Sequence, residues 1–491
     1  MINLILFLYT LFLFTLFFYA IHSFILIYYY FRLNKNTRKS KRKELKDFPY
    51  VTIQLPIYNE KFVIHRLLKC VTSMDYPKDR LEIQVLDDST DETVEIAADL
   101  ISEYRKKGHN ILHVRRGTRA NFKAGALQYG LERARGEFIA IFDADFVPPP
   151  DFLKELLPEF FDQYVGGVQA RWGHLNYGQS VLTRSQAIGL DNHFIMEQGL
   201  RSRLGCFINF NGTCGLWRKR AIIDAGGWHG DTLAEDLDLS YRVQLRGWRI
   251  KYRGDFVVAG ELPHTAYGYR VQQNRWAKGT IQVARKLLSK IFRSRLRPLA
   301  KYEAFVHLTC HINFLAMLGL ALFSLPVVYF KVEGIVSNTY YVVISLFTVA
   351  AFGYPFLYYL SQREIYKKGH RRRIPFILGV IAYSMGLSIS NTKAIIEGWF
   401  YKEHVFTRTP KSGGARVIHY PEIKSLMPYL EILLGVYMLV GVIYVIANLQ
   451  LVLVPFLVLY CYGFLSMGLS SIKDQFLSIK PREVLCSREN S

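Results

Sequence analysis

Long apolar runs lie at both ends of the chain, and a block of alternating character lies between them. The first run covers residues 1–31. The others follow the middle block, at about 304–330, 339–360, 374–392, 428–447 and 451–472. About 20 consecutive apolar residues suffice to cross the hydrocarbon core of a bilayer. The pattern therefore predicts membrane helices at both ends and a folded domain at residues 50–280 outside the bilayer.

The N-terminal run is predicted to be a retained membrane span. No basic residues precede its apolar core, which is longer than the roughly 7–15 residues of a signal peptide. Eight basic residues follow within the linker 32–49: Arg32, Lys35, Arg38, Lys39, Lys41, Arg42, Lys43 and Lys46. Because basic residues concentrate on the cytosolic side of a span, the linker and the folded domain are predicted to be cytosolic.

The run at 374–392 is predicted to lie along the membrane surface as an interfacial helix. Basic residues flank it at 367–373 and at 393–416, so both flanks are expected in the cytosol. A single crossing stays open and would place the C-terminus outside. A second interfacial helix is predicted at 281–300, where basic and apolar residues alternate. These assignments give five spans in all, with a C-terminal membrane domain at 301–472 and a cytosolic tail at 473–491.

The middle block has the pattern of an α/β fold. Short apolar strands are predicted at Val51–Ile57, Leu81–Leu86, Ile111–Val114 and Glu137–Phe142, with helical stretches between them. Strands that alternate with helices indicate a parallel, Rossmann-like sheet covered on both faces. Ligands bind such sheets beyond the carboxyl ends of the strands. Polar or acidic clusters follow three of these strands, so they are predicted to share one site.

Asp143 and Asp145 are the candidate metal ligands. Two carboxylates one residue apart at a strand end can hold a hard divalent cation, Mg²⁺ or Mn²⁺, that bridges the phosphates of a nucleotide leaving group. The spacing alone is weak evidence, because such a pair often only caps a helix or lines a turn. The apolar strand before it and the sequence Phe146-Val147-Pro148-Pro149-Pro150 after it strengthen the assignment.

Three other charged residues near strand and helix ends are candidates for donor binding. Asp87 and Asp88 could accept hydrogen bonds from a base or ribose, although either could instead cap the helix that starts near Thr90. Lys123 lies at a helix start, where phosphate binding is favoured. A solvated surface lysine is nearly as consistent with its spacing.

The acidic group Glu235, Asp236 and Asp238 opens a predicted helix and has a different candidate role. Attack by a sugar hydroxyl needs a general base, and one of these carboxylates could supply it; the alternative is a favourable charge at a helix N-terminus. Downstream, Arg275 could clamp a diphosphate, and Trp276 could stack on a sugar ring or belong to the core.

Composition and charge narrow the class of protein. The chain is 51% hydrophobic, with a mean hydropathy of +0.10, which excludes an ordinary soluble enzyme. The net charge of +22 fits basic flanks of membrane helices and attraction to anionic lipid or phosphate. Nucleic acid is disfavoured as a partner because the basic residues cluster at membrane edges. The six cysteines show no regular spacing and are predicted to be reduced thiols.

Taken in order, the motifs resemble those of the membrane-bound, inverting family 2 glycosyltransferases, especially cellulose synthase and the cellulose synthase-like glucan and mannan synthases. The ordered set consists of Pro56-Ile57-Tyr58-Asn59-Glu60, Asp87-Asp88, Lys123-Ala124-Gly125, Asp143-Ala144-Asp145, Glu235-Asp236 and Gln272-x-x-Arg275-Trp276. The resemblance implies a GT-A-like catalytic domain between transmembrane and interfacial helices.

The resemblance also implies a role for each motif. Asp236 would be the catalytic base, and Asp143 and Asp145 would bind the metal ion. The donor nucleotide sugar would be bound by Pro56, Tyr58, Glu60, Asp87, Asp88, Lys123, Asp143 and Arg275. The acceptor would be bound by Gln272, Trp276, Asn211, Gly212, Thr213 and Glu235. A gating loop at 404–416 would include Phe406, Thr407, Thr409 and Lys411.

The leading hypothesis is a processive synthase in a bacterial inner membrane or a Golgi membrane. It would polymerise a β-linked hexose, from UDP-glucose or else GDP-mannose, and pass the growing polysaccharide through its own membrane helices. The alternative is a lipid glycosyltransferase that makes a glycosyl-diacylglycerol or ceramide product. Donor sugar and linkage stay open, because glucose and mannose differ at a single hydroxyl.

Overall fold

A seven-stranded sheet forms the centre of the computed structural model, which describes residues 1–34, 45, 47–400, 411, 413 and 425–478. In chain order the strands are β1 Val51–Ile57, β2 Leu81–Asp87, β3 Ile111–Val114, β4 Phe138–Ile141, β5 Val165–His174, β6 Gly215–Arg218 and β7 Arg249–Gly260. Their order across the sheet is β3-β2-β1-β4-β6-β5-β7.

Helices surround this sheet and continue past it at both ends of the chain. The helices up to residue 245 are α1 Ile2–Asn34, α2 Ile64–Thr72, α3 Thr93–Lys106, α4 Phe122–Arg133, α5 Phe152–Leu156, α6 Val181–Asn192, α7 Gly199–Arg203, α8 Lys219–Asp224 and α9 Glu235–Leu245. Those that follow are α10 Ala266–Arg293, α11 Pro298–Thr309, α12 Ile312–Val332, α13 Asn338–Ser345, α14 Gly353–Ile365, α15 Pro375–Gly386, α16 Ser388–Phe400, α17 Met427–Ala447 and α18 Val454–Ser478.

The four N-terminal strands are mutually parallel, as the alternating pattern predicts. β1 pairs in parallel with both β2 and β4, and β2 with β3. Every residue of β2 is buried, as expected for a strand covered by helices on both faces. β6 runs antiparallel to β4 and β5, which makes the sheet mixed. The predicted α/β fold is confirmed, and the carboxyl ends of β1, β2 and β4 meet at one edge.

Within the described residues, five helical segments are long and apolar enough to cross a membrane: Ile2–Leu33, Ile312–Val332, Asn338–Ile365, Met427–Ala447 and Leu451–Asp474. The span predicted at 304–330 starts later, because the chain breaks at Cys310-His311 between α11 and α12. The break follows α11. Within α11, the buried Glu303 places its Oε2 atom 3.1 Å from Nε2 of His22 in α1.

The chain between 370 and 400 differs from the single interfacial helix predicted at 374–392. It forms two helices, α15 and α16, that meet at an angle of 52°. α15 packs tightly on α18: a Cβ added at Gly463 would lie 2.0 Å from the Ala382 carbonyl oxygen. Whether the bent pair crosses the membrane or lies along it stays a prediction. Most of the linker at 32–49, all of the loop at 404–416 except 411 and 413, and the tail beyond 478 lie outside the described residues.

α10 is longer than the interfacial helix predicted at 281–300. It begins at Ala266, where the Thr265 side chain accepts a hydrogen bond from the Gly268 N–H, and it runs without a break through the Gln272–Trp276 motif. Because the residues of that motif are mostly polar, a search for apolar runs does not detect the start of the helix.

One face of α10 is docked on the C-terminal helices α16, α17 and α18. The Arg270 guanidinium donates to both carboxylate oxygens of Glu431 in α17, at 3.2 and 2.6 Å, and to Ser471 Oγ in α18. Farther along, Asn274 donates to the Ser390 carbonyl oxygen and Lys278 pairs with Glu397, both in α16. The spacing of four residues places Arg270, Asn274 and Lys278 on the same face. These three helices therefore fix both the register and the rotation of α10.

We expect Glu431→Ala to destabilise the protein strongly. The Glu431 side chain is fully buried (0% exposed), so its removal leaves the Arg270 guanidinium buried without a counter-charge, which typically costs about 3–5 kcal/mol. The measurement is thermal unfolding of detergent-solubilised protein. The double variant Arg270→Met/Glu431→Leu should be less destabilised than the single one, because no charge is left unpaired. Glu103→Ala, which breaks the exposed pair with Lys107, is the control and should change Tm little. Equal effects of all three variants would contradict the expectation.

Candidate active site

A cavity at the carboxyl edge of the sheet brings most of the predicted site residues together. The predicted residues that line it are Pro56, Tyr58, Glu60, Asp88, Lys123, Asp143, Asp145, Asn211, Gly212, Glu235, Asp236, Gln272, Arg275, Trp276 and Lys411. They come from strand ends, from the N-termini of α4 and α9, and from α10. Phe406, Thr407 and Thr409 of the predicted gating loop lie outside the described residues.

Asp143 and Asp145 follow β4 at the floor of the cavity, and each faces a lysine. Lys123 Nζ donates to Asp143 Oδ1 at 2.6 Å, and Lys411 pairs with Asp145 Oδ1. Burial favours a higher pKa for both carboxyl groups. For Asp143 the charges of Lys123 and Lys411 outweigh burial, so its pKa is lowered. For Asp145 burial outweighs the charge of Lys411, so its pKa is raised. The ammonium groups mark the positions where positive charge is favoured. Two carboxylates with oxygen ligands are also the donor type that Mg²⁺ and Mn²⁺ prefer, so the residues present fit a divalent cation.

Asp236 lies in the first turn of α9, directly against the 211–213 segment. A Cβ added at Gly212 would come within 3.0 Å of Asp236 Oδ2, and Gly212 has φ +76°, so only glycine suits this position. Lys123 links the two acidic groups, because its Nζ contacts Asp143 and lies 3.7 Å from Glu235. Burial, reinforced by the charge of Glu235, raises the pKa of Asp236 to about 7. A carboxylate with such a pKa can accept a proton near neutral pH.

Asp87 and Thr213 do not line the cavity, unlike the other predicted ligand-binding residues. The fully buried Asp87 carboxylate accepts hydrogen bonds from the Ser89 N–H and contacts His113 Nε2, both at 2.8 Å. Thr213 Oγ1 accepts a hydrogen bond from the Asp143 N–H at 2.9 Å. Both residues therefore hold the strand-end loops in place, and Asp88 is the member of its pair that faces the cavity.

Two arginines of the site were not singled out from the sequence. Arg116 donates to both oxygens of Asp88, at 2.7 and 2.6 Å, and Arg119 stacks over the Tyr58 ring with its guanidinium carbon 3.4 Å from the ring centroid. They lie in the basic stretch after β3, which reads from the sequence as an ordinary surface loop. Its position after a parallel strand was the available signal, because that places it at the ligand edge of the sheet.

The chain matches the model of the family described as glycosyltransferase like family 2 over residues 49–279. Residues 49–279 are a family 2 glycosyltransferase domain. This domain contains the whole sheet and every described cavity residue except Lys411.

Curated relatives of the glycosyltransferase domain are plant enzymes. The chain is 43% identical over 254 residues to glucomannan 4-beta-mannosyltransferase 2 of Arabidopsis thaliana, and 42% identical over 253 residues to glucomannan 4-beta-mannosyltransferase 1 of Oryza sativa subsp. japonica. These matches cover 51% and 50% of this chain and 48% and 49% of the relatives. The chain thus spans about half the length of the curated relatives it matches.

A solved structure shares the fold. A mannosyltransferase from Pyrobaculum calidifontis, in complex with GDP-Man and Mn²⁺, is similar with a TM-score of 0.55 and 20% identity. The similarity covers 79% of this chain and 100% of that one. The GT-A-like fold that the sequence predicts is therefore confirmed.

We expect Asp236→Asn to stabilise the folded protein at neutral and alkaline pH. The folded-state pKa of about 7 lies above the ordinary value of 3.8 for an aspartate, so the native state holds a proton that the unfolded state releases, and stability falls as pH rises between these values. The neutral amide removes this loss, so the gain in Tm should be larger at pH 8 than at pH 5. Asp99→Asn on the exposed face of α3 is the control. A gain of equal size at both pH values would contradict the proposed cause.

Proposed function

We propose that this protein transfers mannose from GDP-mannose to the end of a growing β-1,4-linked mannan or glucomannan chain. The observation that carries the proposal is the 42–43% identity of the domain to glucomannan 4-beta-mannosyltransferases. The motifs alone favour UDP-glucose over GDP-mannose as the donor. The names of the relatives support mannose instead.

The site supports a single-displacement reaction that inverts the anomeric carbon. The acceptor hydroxyl attacks that carbon while the diphosphate leaves. Asp236 takes the hydroxyl proton on a carboxylate oxygen. Asp143 and Asp145 would hold a divalent cation, which neutralises charge on the leaving diphosphate when bound. Arg275 and Lys123, on two sides of the cavity, add fixed positive charge for the phosphates. Gln272 and Trp276 would hold the acceptor end.

Processive synthesis and passage of the product through the membrane are part of the proposal. The glycosyltransferase domain is docked on α17 and α18, which are long enough to span a bilayer, through Arg270 of the same helix that carries Gln272 and Trp276. An acceptor held by these residues would end beside the membrane helices. In this arrangement the domain and the linker face the cytosol, as the charge distribution predicts.

A donor screen on purified, detergent-solubilised protein with Mn²⁺ tests the proposed function. We expect release of GDP from GDP-mannose and formation of a mannanase-sensitive polymer. Asp236→Asn should lower turnover by at least about a hundredfold, the usual scale of general base catalysis. Release of UDP from UDP-glucose alone would assign a glucan synthase. A product that is extracted into organic solvent would assign a lipid glycosyltransferase.

We expect Asp145→Asn and Asp143→Asn to weaken the binding of a divalent cation. Each substitution removes a charged oxygen ligand. A ligand that binds the native state raises its stability with concentration, so added Mn²⁺ should raise the Tm of the wild type and raise it less in either variant. Asp99→Asn should respond like the wild type. The cation proposal is wrong if the wild type shows no shift and its turnover survives a chelator.

A further inference from the structure

A chain of hydrogen bonds from residues that do not line the cavity holds Asn211 in place. Asn211 lines the cavity, and its backbone N–H donates to Gln169 Oε1 at 2.9 Å. Its side-chain amide contacts two residues of a short π-helix, His193–Gln198, that joins α6 to α7. Neither His193 nor Gln198 lines the cavity. Their contacts therefore act on a site residue from outside the site.

The backbone fixes the orientation of this chain. Because the Asn209 N–H can only donate, Gln198 Oε1 is its acceptor at 3.0 Å, and Gln198 Nε2 becomes the donor to Asn211 Oδ1 at 3.2 Å. The Asn211 amide then points its Nδ2 at His193 Nε2, at 3.1 Å.

The same logic sets the protonation of His193. Its Nε2 must accept from Asn211, so the proton lies on Nδ1, which donates to Glu197 Oε2 at 3.0 Å. Burial alone would raise the pKa of Glu197, but the His193 contact outweighs it and the pKa is about 2, so Glu197 is a carboxylate. An ionised acceptor strengthens the hydrogen bond that holds the ring.

The π-helix makes the double contact possible. In an α-helix of about 3.6 residues per turn, residues five apart lie about 140° apart around the axis. The wider i→i+5 turn of a π-helix brings such residues to nearly the same side. His193 and Gln198 are five apart, and both reach the one Asn211 side chain. Single π turns are frequent at functional sites, and here the turn supplies both contacts.

We propose that His193, oriented by Glu197, is a positioning residue that aims the Asn211 amide at the acceptor sugar. Asn211 Nδ2 carries two hydrogens, and His193 takes one of them. The second is left to donate to an acceptor hydroxyl beside Asp236. The proposal rests on the proposed transfer to a polysaccharide end and adds a determinant of acceptor binding to it.

Two substitutions at His193 separate this role from a purely structural one. A glutamine oxygen can replace the Nε2 acceptor that faces Asn211, whereas an asparagine amide can replace the Nδ1 donor that faces Glu197. Each variant thus keeps one half of the contact. We expect His193→Asn to lower kcat/KM for the acceptor by about tenfold, the scale of one lost hydrogen bond in a buried site, and His193→Gln to stay within about threefold of wild type.

The assay measures GDP release from GDP-mannose and Mn²⁺, with and without β-1,4-mannotetraose. Release without the oligosaccharide reports hydrolysis by water and should change little in either variant, because the donor side is untouched. The proposal is overturned if His193→Asn keeps acceptor transfer while His193→Gln loses it, if both variants behave alike, or if transfer and hydrolysis fall in parallel.

Gln198→Met provides a second route if a His193 variant does not fold. It removes the donor to Asn211 Oδ1 while keeping the length of the side chain, and it should show the same loss of transfer with hydrolysis retained. If Gln198→Met retains transfer, the proposal that these contacts orient the Asn211 amide towards the acceptor sugar is refuted. If the wild type releases no GDP under any condition, the proposed donor and function have failed rather than the role of His193.

Discussion

The ion pair between Arg270 and Glu431 holds the glycosyltransferase domain to α17, one of the candidate membrane spans. A buried charge pair is costly to form and more costly to break, so it imposes one register on the helix that carries it. Arg270 lies two residues before Gln272, on a helix that continues into Trp276. Any slide or rotation of α10 would move both site residues. The geometry of the cavity is therefore set partly by residues of the C-terminal helices, outside the glycosyltransferase domain.

The cavity collects charges that would repel one another without this framework. Asp143, Asp145, Glu235 and Asp236 share one space, and Lys123 lies between the two pairs. Burial and the charge of Glu235 raise the pKa of Asp236, whereas Lys123 and Lys411 lower the pKa of Asp143. The same arrangement separates a proton acceptor from cation ligands. Functional sites of this kind reduce stability, and the surrounding packed sheet offsets the loss.

Local pattern was enough to predict four of the seven strands and the edge of the site, and not enough to predict the other strands or the long-range pairings. β1 to β4 appear in the sequence as apolar runs, and polar clusters at their ends must meet because parallel strands end together. The antiparallel β6 has only four residues and no distinctive pattern. The partner of Arg270 is 161 residues away in an apolar helix. His193 and Gln198, which contact Asn211 from outside the cavity, lie in a stretch that looks like an ordinary amphipathic helix in the sequence.

Asp87 and Asp88 show why the role of each residue in a motif can be assigned only from the three-dimensional structure. Asp87 is the last residue of β2 and Asp88 the first after it, and side chains of neighbouring residues in extended backbone point to opposite sides, so the two carboxylates meet different surroundings. One is buried on His113 and the other meets Arg116 at the cavity. The choice between them depends on which face the cavity occupies. That face is fixed by α9 and α10, which pack there through contacts with distant parts of the chain.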